Sequence, residues 1–221
     1  MSIILNIDTA QETAFVCISE NGLPIFTAEN HLQKDHASFL HPAIDELLKK
    51  SAISITELDA IAVTKGPGSY TGLRVGMSAA KGLAYTLQKP LIAISTLEMM
   101  AHDIISSTGD QESLICPMID ARRMEVFTAL YNSSLKEILS PLAMILDESS
   151  FDDSLKNNCI YFTGSGSMKF QQICNHTNAK FIQHNNLPVS MSVISQNKNE
   201  KKLFNDIALT EPDYIKPYKA Y

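Results

Sequence analysis

The segment Lys65-Gly66-Pro67-Gly68-Ser69-Tyr70-Thr71-Gly72 constrains the fold of this chain more than any other stretch. It follows the apolar run Leu58–Val63 directly and precedes a stretch, ended by Pro90, in which small and apolar residues recur to Leu87 at helical spacing. A rigid glycine loop there joins a buried strand to a long helix, the repeating step of α/β folds. Glycines in such a loop let the backbone turn sharply or approach another surface closely. A glycine loop that opens a helix can also offer its free N–H groups to an anion. The loop lacks the G-x-x-x-x-G-K-[ST] pattern and is not a P-loop. Along the helix, Gly72, Gly76, Ala79, Ala80, Leu83 and Ala84 share one face. Small side chains there suit either core packing or close approach of a second helix, and packing is the simpler reading.

Periodicity organises the rest. Residues 3–8, 13–19 and 23–30 read as strands, with Asn21-Gly22 as a hairpin turn, so the chain opens as an antiparallel meander. His36–Lys50 places Phe39, Leu40, Ala43, Ile44, Leu47 and Leu48 on one helical face, with Pro42 expected within about the first turn. Ser54–Glu57 starts a short helical turn. Residues 91–94 read as a strand and Leu97–Ile105 as a helix. Strands follow at 113–119, 124–131, 137–145 and 159–163, and Gly164-Ser165-Gly166 leads into a helix at 167–175. Ser195–Lys202 reads as a polar surface turn or helix end, and Pro212–Tyr221 as an aperiodic tail. Strands followed by alternating helices and strands, twice over, predict two α/β units, residues 1–106 and 107–221, divided in the loop at 104–112.

The 221 residues, 45% of them hydrophobic and 19% charged, are ordinary globular composition. No apolar run approaches the ~20 residues that span a bilayer, and Met1–Asp8 reads as a strand, not a signal peptide, so a cytoplasmic protein with no membrane partner is expected. Net charge is −6, and the three arginines are Arg74, Arg122 and Arg123. RNA binding draws on cationic contacts to phosphates, so contact with tRNA is expected only through a partner's surface. Cys17, Cys116, Cys159 and Cys174 form no C-x-x-C pair and read as free, buried thiols of a reducing compartment. His36 and His41 project ~140° apart on a helix, and His31, His102, His176 and His184 show no ligand spacing, so no metal site is expected.

Three smaller features carry candidate chemistry. Asp8-Thr9 ends the first strand, where an acid can hold a metal or orient water, or simply shape a turn. Gly164 and Gly166 form a second, sparser glycine loop. In Asp120-Ala121-Arg122-Arg123, the arginines suit a phosphate or an acidic partner, or are a charged hairpin tip.

These segments together resemble the bacterial dimerization subunits of the tRNA threonylcarbamoyladenosine transferase complex, the TsaB (YeaZ) family. The resemblance rests on Ile4-Leu5-Asn6-Ile7-Asp8-Thr9-Ala10, on His36-Ala37, and on Gly66-Pro67-Gly68-Ser69-Tyr70-Thr71-Gly72-Leu73-Arg74-Val75-Gly76 with Ala80-Lys81-Gly82-Leu83-Ala84. Asp120–Phe127 and Glu211-Pro212-Asp213-Tyr214 complete it. It departs from the usual pattern at Met124, where glycine is common, and at Ile215-Lys216, where Leu-Arg is common. The resemblance implies an actin-like, duplicated RNase-H-like α/β fold and a non-enzymatic role without a cofactor. The related catalytic subunit, TsaD, carries two metal-binding histidines in N-H-M-E-G-H. The matching segment here, Ser95–Met100, has Thr96 and Met100 in their places, which do not suit such a metal.

The same resemblance implies pairing with a TsaD-type paralogue, work alongside a TsaE-type ATPase, and homodimers when the partner is absent. The interface it implies uses the two N-terminal helices, with Phe39, Leu40, Ile44, Leu47 and Leu48 on one and Gly72, Leu73, Gly76, Met77, Ala80 and Ala84 on the other. On this reading Gly76→Arg blocks association and spares the fold. Asp8, Thr9, Gly164 and Gly166 would be a vestigial nucleotide site. An active actin-like ATPase would need a fuller set of acids and phosphate loops, and a metallopeptidase would need the missing histidines.

Overall fold

The computed structural model describes residues 2–32, 35–183 and 186–216; the end of the expected tail (217–221) and His184 lie outside them. The chain forms two five-stranded sheets. The first holds β1 (Ile3–Asp8), β2 (Ala14–Glu20), β3 (Leu23–Asn30), β4 (Ala60–Gly66) and β5 (Leu91–Ser95), in the order β3-β2-β1-β4-β5. The second holds β6 (Leu114–Asp120), β7 (Glu125–Tyr131), β8 (Glu137–Ile145), β9 (Ile160–Thr163) and β10 (Ala179–Phe181), in the order β10-β9-β6-β7-β8. Read from opposite ends the orders coincide. β1 pairs antiparallel with β2 and parallel with β4, and β6 pairs antiparallel with β7 and parallel with β9. The helices repeat too. α1 (His36–Ser51) and α2 (Tyr70–Leu87) flank β4, α4 (Asp152–Leu155) and α5 (Ser167–Gln171) flank β9, and α3 (Thr96–Thr108) and α6 (Leu187–Glu200) follow the last strand of each sheet. This is a duplicated actin-like α/β fold.

In the first unit, Leu5, Ile7, Val16 and Ile18 alternate toward α1 and α2, where they meet Leu40, Ile44, Leu47, Met77 and Ala80. Pro42 lies inside α1, beyond its first turn, and the helix continues through it. Pro42 and Ser38, four residues before it, are both exposed, so water can serve the carbonyl that the missing N–H leaves free. The short turn Ile55–Glu57 is fixed by a capping box between Ser54 and Glu57. In the second unit, Cys116, Met118, Phe162 and Phe170 fill one side of the sheet. Ile115, Ile119, Ala129 and Tyr131 fill the other, against Leu97, Met100 and Ile104 of α3.

The compact units differ from the expected halves 1–106 and 107–221. One comprises Met1–Thr96 with Pro188–Asp213, the other Leu97–Leu187 with Tyr214–Tyr221. The helix that follows each sheet therefore belongs to the other unit. α6 packs where the reading from sequence placed only a turn or helix end. Its buried positions are Ser190, Met191, Ser192, Ile194 and Ser195, and Ser192 Oγ lies 3.7 Å from Cys17 Sγ on β2. A buried face built largely of serine gives no apolar periodicity to read. Two of its hydroxyls are satisfied within the helix, Ser192 donating to Pro188 O at 2.7 Å and Ser195 to Ser192 O at 3.1 Å.

Candidate functional site

The glycine loop grips the end of β1. The Ser69 amide donates to Ala10 O at 2.7 Å, and Thr9 Oγ1 donates back to Gly72 O at 2.6 Å. A Cβ at Gly68 would collide with the Ala10 backbone, one at Gly72 with Thr9 O, and one at Gly76 with Thr9 Oγ1. Three glycines thus let α2 sit on the β1–β2 turn at backbone distance. The N-terminus of α2 is already occupied. Ser69 Oγ accepts from Gly72 N at 3.3 Å, and the Thr9-Ala10 backbone fills the space where an anion would need to lie.

Asp8 is fully buried beneath this turn. Its Oδ1 accepts from Ala10 N at 2.8 Å and from Thr64 Oγ1 at 2.7 Å. Oδ2 is buried with no hydrogen-bond partner among the described residues. Burial raises the carboxyl pKa, and the bonds from Ala10 and Thr64 partly offset the rise. Such a group pins β1 to β4 and the turn.

The second glycine loop repeats the device. Gly166 N donates to Met118 O at 3.0 Å at the end of β6, as Ser69 does to the turn after β1. Ser167 Oγ donates to Gly164 O at 2.7 Å. A Cβ at Gly164, which has φ +94°, would strike Met100 Cε and Met118 O, and one at Gly166 would press on Val126 and Met118. Thr96 and Met100 are fully buried on α3, and Met100 caps the loop. Asp8 and Thr9 belong to one unit, Gly164 and Gly166 to the other, and each pair has a packing task in its own unit. Among the described residues no three His, Cys, Asp or Glu side chains cluster as metal ligands.

The residues expected at a partner interface lie mostly inside. Leu40, Ile44, Leu47, Gly72, Leu73, Gly76, Met77, Ala80 and Ala84 are buried in their own unit, and Phe39 and Leu48 are half-buried against the same core. An amphipathic helix on a sheet spends its apolar stripe on that sheet, so this face is not offered to a partner. Gly76→Arg would therefore break the fold, contrary to the reading from sequence. The outward surface of the two helices is different. It carries His41 and Pro42 on α1, and Arg74, Ser78, Gly82 and Tyr85 on α2. Tyr85 is 77% exposed, and a Cβ at Gly82 would meet nothing within 4 Å. The 3-4-4-3 spacing of Thr71, Arg74, Ser78, Gly82 and Tyr85 marks this stripe in the sequence, although it carries no apolar period.

Residues 30–210 match the family model for TsaD, tRNA N6-adenosine threonylcarbamoyltransferase. The chain is 30% identical over 226 residues to the tRNA threonylcarbamoyladenosine biosynthesis protein TsaB of Bacillus subtilis, covering 98% of this chain and 95% of that protein. It superposes on YeaZ from Pseudomonas aeruginosa with a TM-score of 0.80 at 22% identity, covering 97% of this chain and 100% of that one. A more distant likeness, at a TM-score of 0.51 and 8% identity, covers 91% of this chain and 96% of the activator of 2-hydroxyisocaproyl-CoA dehydratase from Clostridium difficile, a structure with bound ADPNP. Among the described residues no helix is long and apolar enough to cross a membrane.

Proposed function

The chain belongs to the TsaB (YeaZ) family of tRNA threonylcarbamoyladenosine biosynthesis proteins, and from that premise we propose that it is the non-catalytic subunit that binds and supports a TsaD-type catalytic paralogue. In this role it takes part in threonylcarbamoylation of the tRNA adenosine just 3′ of the anticodon. The match to the TsaD model supports common descent of the two chains. One observation carries the non-catalytic reading: both glycine loops are closed by the chain's own atoms, Thr9 and Ala10 in one unit and Met100 and Met118 in the other. Asp8, the acid best placed for metal or phosphate chemistry, is enclosed with them. Thr96 and Met100, at the positions the resemblance gives to metal-binding histidines, supply a hydroxyl and a thioether in a dry interior.

The partner surface in this reading is the outer face of α1 and α2, around Pro42, Ser78, Gly82 and Tyr85. An exposed glycine and serine beside an aromatic allow a facing helix to approach closely while Tyr85 anchors it. The same face serves self-association when the paralogue is absent. A TsaE-type ATPase joins the assembled pair, and tRNA is engaged through the complex.

Reconstitution tests this directly. Paralogue, ATPase, donor synthase, threonine, bicarbonate, ATP and unmodified tRNA are combined with and without this chain, and the modified nucleoside is measured. Modification should depend on the chain, while the chain alone neither transfers the group nor releases phosphate from ATP. Equal modification without it would overturn the proposal.

A further inference from the structure

The turn between β6 and β7 holds two consecutive arginines in left-handed backbone geometry, Arg122 at φ 70° and Arg123 at φ 51°. Non-glycine residues seldom adopt this conformation, and two in succession persist only where surrounding bonds impose them. The bonds are present. Asp120 Oδ1 accepts from Arg122 N at 2.6 Å, Ala121 N donates to Glu125 O at 3.0 Å, and Glu125 N donates to Arg122 O at 3.1 Å. Asp120 is itself held by Lys169 at 2.7 Å, and Glu125 by Lys216. The two carboxylates that flank the arginines in the turn are thus taken by lysines. Both arginines are exposed, and among the described residues neither guanidinium has an ion-pair or hydrogen-bond partner. Arg122, Arg123, Lys169 and Lys216 set four positive charges around the two negative charges of Asp120 and Glu125; Asp147 and Glu148 follow Leu146, whose N–H donates to Met124 O, and the Asp147 carboxylate accepts from Ser149 and Ser150.

We propose that the Arg122-Arg123 tip is a contact for the phosphodiester backbone of RNA, through which this subunit touches the tRNA held by the complex. The proposal rests on the functional reading above and adds a contact that it lacks. Paired planar guanidinium forks match phosphate oxygens, and a narrow, charged tip suits a groove or backbone ridge. A protein partner would be expected to find an apolar centre to desolvate. Here the exposed apolar side chains beside the tip are Met124, 37% exposed, and Ile145, 73% exposed on β8 opposite Glu125, two residues set among the charged groups and not a packed centre.

The test uses the full chain bound to its catalytic paralogue, with an unmodified tRNA transcript as probe. The double variant Arg122→Asn, Arg123→Asn removes both charges with a residue that tolerates left-handed geometry. Melting temperature and assembly on a sizing column should match wild type. The slope of log K for tRNA against log salt should fall by about 1 per arginine, about 2 in total. The double lysine variant, which keeps charge but loses the forks, should recover the slope and only part of the affinity. Unchanged affinity and slope in the asparagine variant would overturn the proposal, as would loss of assembly with the paralogue, which would assign the tip to a protein contact. A wild-type complex that binds no tRNA would bring down the functional reading, and this inference with it.

Discussion

Thr64 on β4 donates its hydroxyl to Oδ1 of the Asp8 carboxyl group on β1 at 2.7 Å, inside a site from which solvent is excluded. The bond joins two parallel strands near their C-terminal ends, the edge at which open α/β sheets commonly bind ligands, and here it is spent on structure. Burial raises the Asp8 pKa above its unfolded value, so the protonated form is the one the fold favours. That contribution is complete below the unfolded pKa and is lost as pH rises through the raised folded value. Asp8→Asn keeps an acceptor for Ala10 and Thr64 and stays neutral throughout. Its stability relative to wild type should therefore improve from acid to neutral pH, as read by urea melts at several pH values. A gap that widens the other way would show that the ionised carboxylate is needed. Thr64→Val, which removes a donor from a buried oxygen, should cost about 1–3 kcal/mol.

Gly76 and Gly82 share α2 and should respond in opposite ways. Gly76→Ala forces a methyl group onto Thr9 Oγ1 and should cost about 1–3 kcal/mol, and Gly76→Arg should leave no folded protein. Gly82→Ala adds a methyl group in open space and should stabilise the helix by about 0.5–1 kcal/mol. Gly82→Arg should melt no lower than wild type yet fail to co-elute with the paralogue. Co-elution at full yield would move the interface off this face.

Cys116 lies at the centre of the second sheet, and burial pushes its thiol up to about 12 against a 3.2 Å bond with Thr128. It should be silent toward thiol reagents in the native protein at pH 8, together with the buried Cys17. Cys159 and Cys174 are half-buried, against the expectation of four buried thiols, and should label first. Mass spectrometry of timed alkylation reads the order, and early labelling of Cys116 would mean that the second unit opens readily.

Lys81 on α2 donates to Ala208 O at 3.1 Å and Thr210 O at 2.9 Å, tying down the segment after α6. Asn205 N bonds Leu91 O, and Asp213 N bonds Lys65 O, farther along the same segment. Lys81→Met should loosen residues 203–213 with a loss of about 1 kcal/mol. Trypsin should then cut faster at Lys201 and Lys202, while the melting curve keeps its cooperativity. Unchanged cleavage would assign the tether to the two outer bonds.

Much of the fold was legible because its elements have strong local periods. β1 to β3, α1 and α2 follow the sequence closely, and Gly66–Gly72 announced the strand-to-helix turn. The family itself was also readable, from residues such as Asp8, Gly68, Gly72 and Arg122. What the apolar positions could not say was which surface they face. Leu40, Ile44 and Met77 have the spacing of an interface and of a core alike, because a helix stripe is the same in both until a sheet is set beneath it.

The sequence by itself determined the succession of strands and helices, the need for glycine at the two loops, and the family. Local sterics and hydrophobic alternation act over a few residues and are written in the chain. Only the tertiary structure decided that Thr9-Ala10 and Met100-Met118 fill the two glycine cradles, that Asp8 is sealed, and that α3 and α6 belong to each other's halves. Those outcomes depend on contacts between residues far apart in sequence, and on a serine face of α6 that carries no apolar period to announce where it packs.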